Sequence, residues 1–402
     1  MIQLLFGTIV LAIFLLFFIP KEKKLLIKNI GLISSFFVFL VSIQIWILFD
    51  NSTTKLQFRN DFSWLSSINI NFVFGYDGIS IFFLLLTTFL IPICLLTSWK
   101  IHYFVKEYFL SFLVLEGLLI LVFSVSDLLL FYIFFESVLI PMFLIIGIWG
   151  SREKKIRAAF LFFLYTLFGS VIMLLAIVYI YSKIGTTDYE TLLTHTFSDF
   201  EQKILWFALF SSFASKVPMI PLHIWLPEAH VEAPTAGSVV LAGILLKLGI
   251  YGILRFSLTF FPLGCYYFTP VVYSFTIMGV VYGSLTAIRQ LDLKKIVAYT
   301  SIAHMNLVVI GLFSFNTVGL EGAIVQSISH GFVSSALFLI IGVVYDRYHT
   351  RLVKYFGGLV HTMPLFVLIF LFFSMANIAL HGTSSFIGEF LILSGVFNCN
   401  TT

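Results

Sequence analysis

Apolar stretches long enough to span a bilayer follow one another along almost the whole chain. A helix of about 20 apolar residues matches the thickness of the hydrocarbon core. Twelve such stretches are legible, near residues 2–20, 27–49, 79–98, 108–124, 127–149, 158–182, 203–223, 236–254, 267–288, 297–314, 321–344 and 362–396. Of the 402 residues 60% are hydrophobic and 10% are charged, against about 25% charged in an average soluble domain. That is too little charge to cover a soluble surface. The pattern predicts an all-α polytopic membrane protein with about twelve transmembrane helices. The first stretch, "MIQLLFGTIVLAIFLLFFIPKEKK", lacks the basic start and small-residue cleavage site of a signal peptide and reads as the first membrane helix.

The three cysteines, Cys94, Cys265 and Cys399, are far apart and form no CxxC pair, so no iron–sulfur or zinc framework is expected. There is no Gly-rich phosphate loop and no HExxH motif. The expectation is a chain without its own redox cofactor, nucleotide or metal.

Twelve spans place the connections alternately on two sides. The side reached after the first helix holds sixteen basic residues, in the clusters Lys21–Lys28, Lys100–Lys106, Arg152–Arg157, Arg289–Lys295 and Arg347–Lys354. The other side holds five: Lys55, Arg59, Lys183, Lys203 and Arg255. Basic loops stay on the side of synthesis. The basic side is therefore read as cytoplasm or matrix, with both termini on the opposite side. The net charge of +4 comes from these loops, which removes nucleic acid as an expected partner and leaves membrane lipid.

The two remaining basic residues, Lys216 and Lys247, fall inside spans, as do Glu116, Glu136, His304, His330 and Glu389. An ionisable group at membrane depth costs roughly 2.5–3.5 kcal/mol on insertion scales and usually marks an ion or proton path. For Glu116 and His330 a simple interhelical hydrogen bond is an equal reading. Glu136, in "FFESVLIPM", needs a cationic partner, and Lys216 lies nearest in depth. Lys247, in "GILLKLGIYG", sits among glycines that permit close helix approach.

Two spans are broken next to charges. "SSFASKVPMIPLHIWLPEAH" places Pro218 and Pro221 directly after Lys216. Proline removes a backbone donor and frees carbonyls in the preceding turn. Irregular backbone at membrane depth is tolerated only where protein or water surrounds it. Broken helices beside charges recur in ion-coupled transporters, so the stretch reads as a water-accessible gap beside a titratable lysine; the alternative is a kink that serves packing alone. "ANIALHGTSSFIGEF", residues 376–390, interrupts the last span ahead of Glu389. Two broken spans five apart predict an inverted repeat of five helices. The division is an N-terminal three-helix region, 1–107, a first unit, 108–262, and a second unit, 263–402, lacking its last helix.

At these residues the chain resembles the antiporter-like membrane-arm subunits of mitochondrial NADH:ubiquinone oxidoreductase (complex I). The matching stretches include "LLLFYIFFESVLIPMFLIIGIWGSR", "KVPMIPLHIWLPEAHVEAPTAGSVVLAGILLKLGIYG", "DLKKIVAYTSIAHMNLVVIG", "SHGFVSSALFL" and "GTSSFIGEFLIL", within residues 75–397. The resemblance implies a proton-pumping subunit of the inner membrane, with Glu136, Lys216, Lys247, His304, His330 and Glu389 in proton translocation. It implies neighbouring antiporter-like subunits as partners, with NADH, FMN, iron–sulfur clusters and ubiquinone bound elsewhere in the complex. The family usually carries proline where His381 stands, and its members continue for two further helices. The expectation is that another polypeptide, such as a separately encoded C-terminal fragment, packs beside the last span. Without one, the face bearing Glu389 is expected to meet lipid. Two other readings are a cation/proton antiporter subunit of the same fold and a remnant that no longer pumps.

Overall fold

The computed structural model describes residues 2–65 and 69–399. Each of the twelve apolar stretches carries a helix. Nine helices among the described residues are long and apolar enough to cross a membrane, and three shorter apolar ones accompany them. In chain order they begin with α1, Ile2–Phe18, and α2, Lys24–Ile47. A hairpin follows, of β1, Gln57–Leu65, and β2, Ile70–Tyr76. Then come α3, Ser80–Thr97, α4, Val105–Ser124, α5, Leu128–Trp149, and α6, Lys155–Ile184. The short α7, Tyr189–Thr194, precedes α8, Asp199–Lys216, and α9, Trp225–Glu232. The chain continues through α10, Thr235–Phe260, α11, Pro262–Arg289, α12, Leu293–Leu312, and α13, Thr317–Tyr348. It closes with α14, Pro364–Asn377, and α15, Ser384–Cys399.

The centre is α10, whose apolar window is buried throughout. Glycine makes this possible. A Cβ on Gly249 would come 2.6 Å from Val217, and one on Gly252 would overlap the Phe213 ring. So α8 packs directly onto the α10 backbone, as small residues allow between membrane helices. Two π-helical stretches, Leu241–Leu245 and Ile253–Ser257, flank the segment that carries Lys247. Single π turns inside α-helices are often found at functional sites.

The seventh span differs from its expected bounds. The helix ends at Lys216 rather than near residue 223, and its second half, α9, occupies the expected connection. Glu228, His230 and Glu232 make that stretch read as polar loop; in fact His230 and Glu232 are buried. The carbonyls that the break releases find partners. Trp225 Nε1 donates to the Ser215 carbonyl at 2.9 Å, and Asn306 Nδ2 donates to that of Pro218 at 3.5 Å.

The last span breaks as expected, between Asn377 and Ser384. Gly382 takes φ +90°, in the left-handed region that glycine supplies at little cost. Ala379 takes φ +58°. His381 does not serve as the breaker; its ring stacks on Phe386, 4.0 Å between centroids.

The mixed-charge connection 50–78 holds the antiparallel hairpin, with Phe62 opposite Phe72 and Asp61 opposite Val73. Residues 66–68 of that connection, and residues 400–402, lie outside the described residues.

Candidate functional site

Glu136 sits in α5, just ahead of Pro141, which cannot donate to the backbone four residues earlier. Lys216 is the last residue of α8, at the break. Their charged atoms stand 3.6 Å apart, with side chains 14% and 5% exposed. Lys216 Nζ also donates to the Phe135 carbonyl at 2.7 Å and lies over the Phe135 ring, a cation–π arrangement that strengthens when desolvated. The pair expected from depth and from the family resemblance is therefore formed.

A second cluster starts at Lys247, which is fully buried. Its Nζ turns back over the π turn to the Ala242 carbonyl at 2.5 Å and meets His330 Nδ1 at 2.8 Å. The His330 and His304 rings lie 5.8 Å apart. His304 Nδ1 reaches Glu389 Oε1 at 2.9 Å, and Gln326 Nε2 donates to the same oxygen at 3.1 Å. Lys247, His330, His304 and Glu389 come from α10, α13, α12 and α15. They form one row of ionisable groups through the interior.

Lys216 pairs with Glu136, and no hydrogen bond joins it to Lys247 among the described residues. One expectation needs correction. Glu389 is expected to face lipid in the absence of a further helix. Its carboxylate is instead held by His304 and Gln326, because Gly388 lets α15 settle against Gln326.

Glu116 is fully buried, and neither carboxylate oxygen has a hydrogen-bond partner among the described residues. The simple interhelical hydrogen bond weighed for it is not made. For His330 the partner is Lys247, so structural and functional readings coincide.

The sequence reading also misses buried charge. Arg255, assigned to a connection, lies within α10, ion-paired with Asp77 and 4.1 Å over the Tyr189 ring. Lys294 and Arg351, read as topology-setting loop residues, are 2% and 1% exposed. Arg351 donates to the Val231 carbonyl at 2.5 Å and to Ser151 Oγ at 2.7 Å. The available signal is Asp292, an N-cap residue directly ahead of the "LKKI" start of α12.

A family model described as NADH:quinone oxidoreductase/Mrp antiporter, TM, matches residues 125–402. The chain belongs to this family. It is 60% identical to NADH-ubiquinone oxidoreductase chain 4 of Arabidopsis thaliana over 393 residues, 98% of this chain and 79% of that relative. It is 51% identical to NADH-quinone oxidoreductase subunit M of Rhodobacter capsulatus, covering 93% of this chain and 75% of that one. Among solved structures it resembles a chain of respiratory complex I from Thermus thermophilus with bound NADH, with TM-score 0.89 and 28% identity, covering all of this chain and 83% of that one. A chain of the Mrp complex from Dietzia sp. shares the fold, with TM-score 0.86 and 18% identity over 98% of this chain and 44% of that one. The antiporter-like fold and the complex I resemblance read from the motifs both hold within this family.

Proposed function

We propose that the chain is a proton-translocating membrane-arm subunit of respiratory NADH:ubiquinone oxidoreductase. NADH oxidation and quinone reduction take place elsewhere in the complex, on its NADH, FMN, iron–sulfur and ubiquinone sites. This subunit couples them to proton movement. The observation that carries the reading is the row Lys247–His330–His304–Glu389, in which groups able to take and release protons succeed one another in the interior. Four ionisable groups held so deep are costly. Their arrangement as a row gives that cost a use.

In this reading Glu136 and Lys216 are a switch. A neighbouring carboxylate favours charged lysine, and desolvation disfavours it. Moving the carboxylate by a few ångströms therefore loads or unloads the proton. The lysine stays anchored by the Phe135 carbonyl while the acid partner changes. Glu389, at the far end of the row, is the release-side carrier.

The reading extends to a mitochondrial inner-membrane location, with the basic loops in the matrix and both termini on the intermembrane-space side. It includes the division into 1–107, 108–262 and 263–402. Its partners are neighbouring antiporter-like subunits and a helix from another polypeptide beside α15. The apolar face there, with Ile387, Phe390, Leu393 and Phe397 exposed, suits a helix or lipid neighbour.

A cation/proton antiporter subunit is the second reading, favoured by the fold shared with the Mrp chain. The identity to complex I relatives, 60% against 18%, weighs for the first. Native electrophoresis separates the two. Co-migration with NADH dehydrogenase activity supports the first, and migration in a smaller complex without that activity supports the second.

A further inference from the structure

The release end of the row carries a group that the mechanism above does not use. Gln326, in α13, is 1% exposed. Its Nε2 donates to Glu389 Oε1 at 3.1 Å, and His304 Nδ1 meets the same oxygen at 2.9 Å. Glutamine and histidine therefore share one oxygen of the release-side acid. The other end of the amide, Gln326 Oε1, is buried with no hydrogen-bond partner among the described residues. An orphaned buried acceptor costs free energy. Methionine or leucine would fill the same space without that cost, so packing does not explain an amide here.

The helices around the amide have little freedom. A Cβ on Gly388 would come 2.7 Å from Gln326 Oε1 and 2.8 Å from its Cα. One on Gly395 would come 2.6 Å from the Gly319 Cα, and one on Gly322 would come 2.7 Å from the Ile392 nitrogen. So α13 and α15 touch backbone to backbone on both sides of Glu389. Ser329 Oγ, one turn along α13 from Gln326, lies 2.8 Å from both Ser384 Oγ and Ser385 Oγ, which pins the first turn of α15. What is left to change with the proton is the amide itself. A primary amide carries donors at one end and an acceptor at the other, and the two ends are nearly equal in shape. A turn about its last side-chain bond exchanges them without shifting a helix.

We propose that Gln326 is a positioning residue that acts as a one-way valve between His304 and Glu389; the proposal rests on the reading above, in which Glu389 is the release-side carrier. While Glu389 is a carboxylate, Gln326 Nε2 donates to Oε1 and holds that oxygen on His304. Transfer breaks the Nδ1–H bond of the His304 imidazolium and forms an O–H bond at Oε1, leaving a neutral imidazole and a neutral acid. The new hydroxyl needs an acceptor, and two compete for it: His304 Nδ1 and, once the amide has turned, Gln326 Oε1. Donation to Gln326 takes the proton off the line to His304 and closes the way back. The O–H bond then breaks as the proton leaves to water on the exit side. The restored carboxylate draws the amide donor round again.

The test uses the assembled complex in proteoliposomes. Gln326→Met keeps the length of the side chain and removes both ends of the amide. Against a standing proton gradient, quinone-coupled turnover should fall about ten-fold, because the proton on Glu389 returns to His304. With the gradient collapsed by a protonophore, turnover should recover to within about two-fold of the wild type. Complex assembly and NADH:ferricyanide activity should be unchanged. A loss of equal size with and without the protonophore marks a packing role and overturns the valve, as does wild-type turnover against the gradient. Should Gln326→Met not assemble, Gln326→Leu is read the same way. Glu389→Gln is the control for the reading beneath. Slow turnover there with wild-type turnover in Gln326→Met sinks the valve alone. Wild-type turnover in both sinks the reading as well.

Discussion

Lys216 Nζ stands 3.6 Å from Glu136 Oε1 and 2.7 Å from the carbonyl oxygen of Phe135, one residue earlier in the same helix. The ammonium is thus anchored to backbone on one side and to a titratable group on the other. Its place at the end of α8, where the proline break begins, follows directly from the sequence.

Replacing Lys216 by arginine should keep the charge and abolish its release, because guanidinium does not deprotonate in proteins. Assembly should persist while quinone-coupled turnover falls about ten-fold, a change of about 1.4 kcal/mol in barrier. Glu136→Gln should act the same way. Turnover and acidification in proteoliposomes are the readouts, and a Lys216→Arg enzyme with normal rates would remove Lys216 from proton transfer.

The contact of α8 with α10 makes a packing prediction. Gly252→Ala would drive a Cβ into the Phe213 ring. Overpacking of this kind costs about 1–3 kcal/mol, so the yield of assembled complex and its thermal midpoint should both drop. Adding Phe213→Leu should recover part of the loss, since touching residues couple. Equal loss in the single and double variants would show that the contact does not limit stability.

Arg255 and Asp77 tie α10 to the end of the hairpin. Breaking a buried pair by removing one partner typically costs about 3–5 kcal/mol, because the remaining charge is left buried. Asp77→Asn should therefore destabilise the complex in detergent more than the double change Asp77→Asn with Arg255→Met. A double variant that melts lower than the single one argues that the charges themselves are required.

Much of this is legible in the chain. The Pro218–Pro221 break announces itself beside Lys216, and the glycines around Lys247 announce a crowded interior. The partner of Lys247 is not legible, because His330 lies 83 residues away and only the packing of α13 on α10 brings them together. Lys294 and Arg351 mislead for a physical reason. They sit at the ends of spans, where basic residues usually set topology, and burial there depends on how α9 folds over them. The hairpin escapes the span count, although Phe72, Phe74 and Tyr76 alternate with smaller or polar residues, the period of a strand.

The basic loops predict orientation. A cysteine placed at exposed Lys154 should react with a membrane-impermeant maleimide in submitochondrial particles turned inside out and stay unreactive in intact mitoplasts. The reverse pattern would invert the assignment of sides.

The central claim is that the row from Lys247 to Glu389 carries protons. Its most direct test is the simultaneous measurement of NADH-driven quinone reduction and lumen acidification by Lys247→Met enzyme in proteoliposomes. Both should fall to about a tenth of the wild-type value or lower, a barrier change of at least about 1.4 kcal/mol, while NADH:ferricyanide activity and native-gel migration stay unchanged. Wild-type rates of both reduction and acidification, with Lys247 replaced by a side chain that cannot hold a proton, would contradict it.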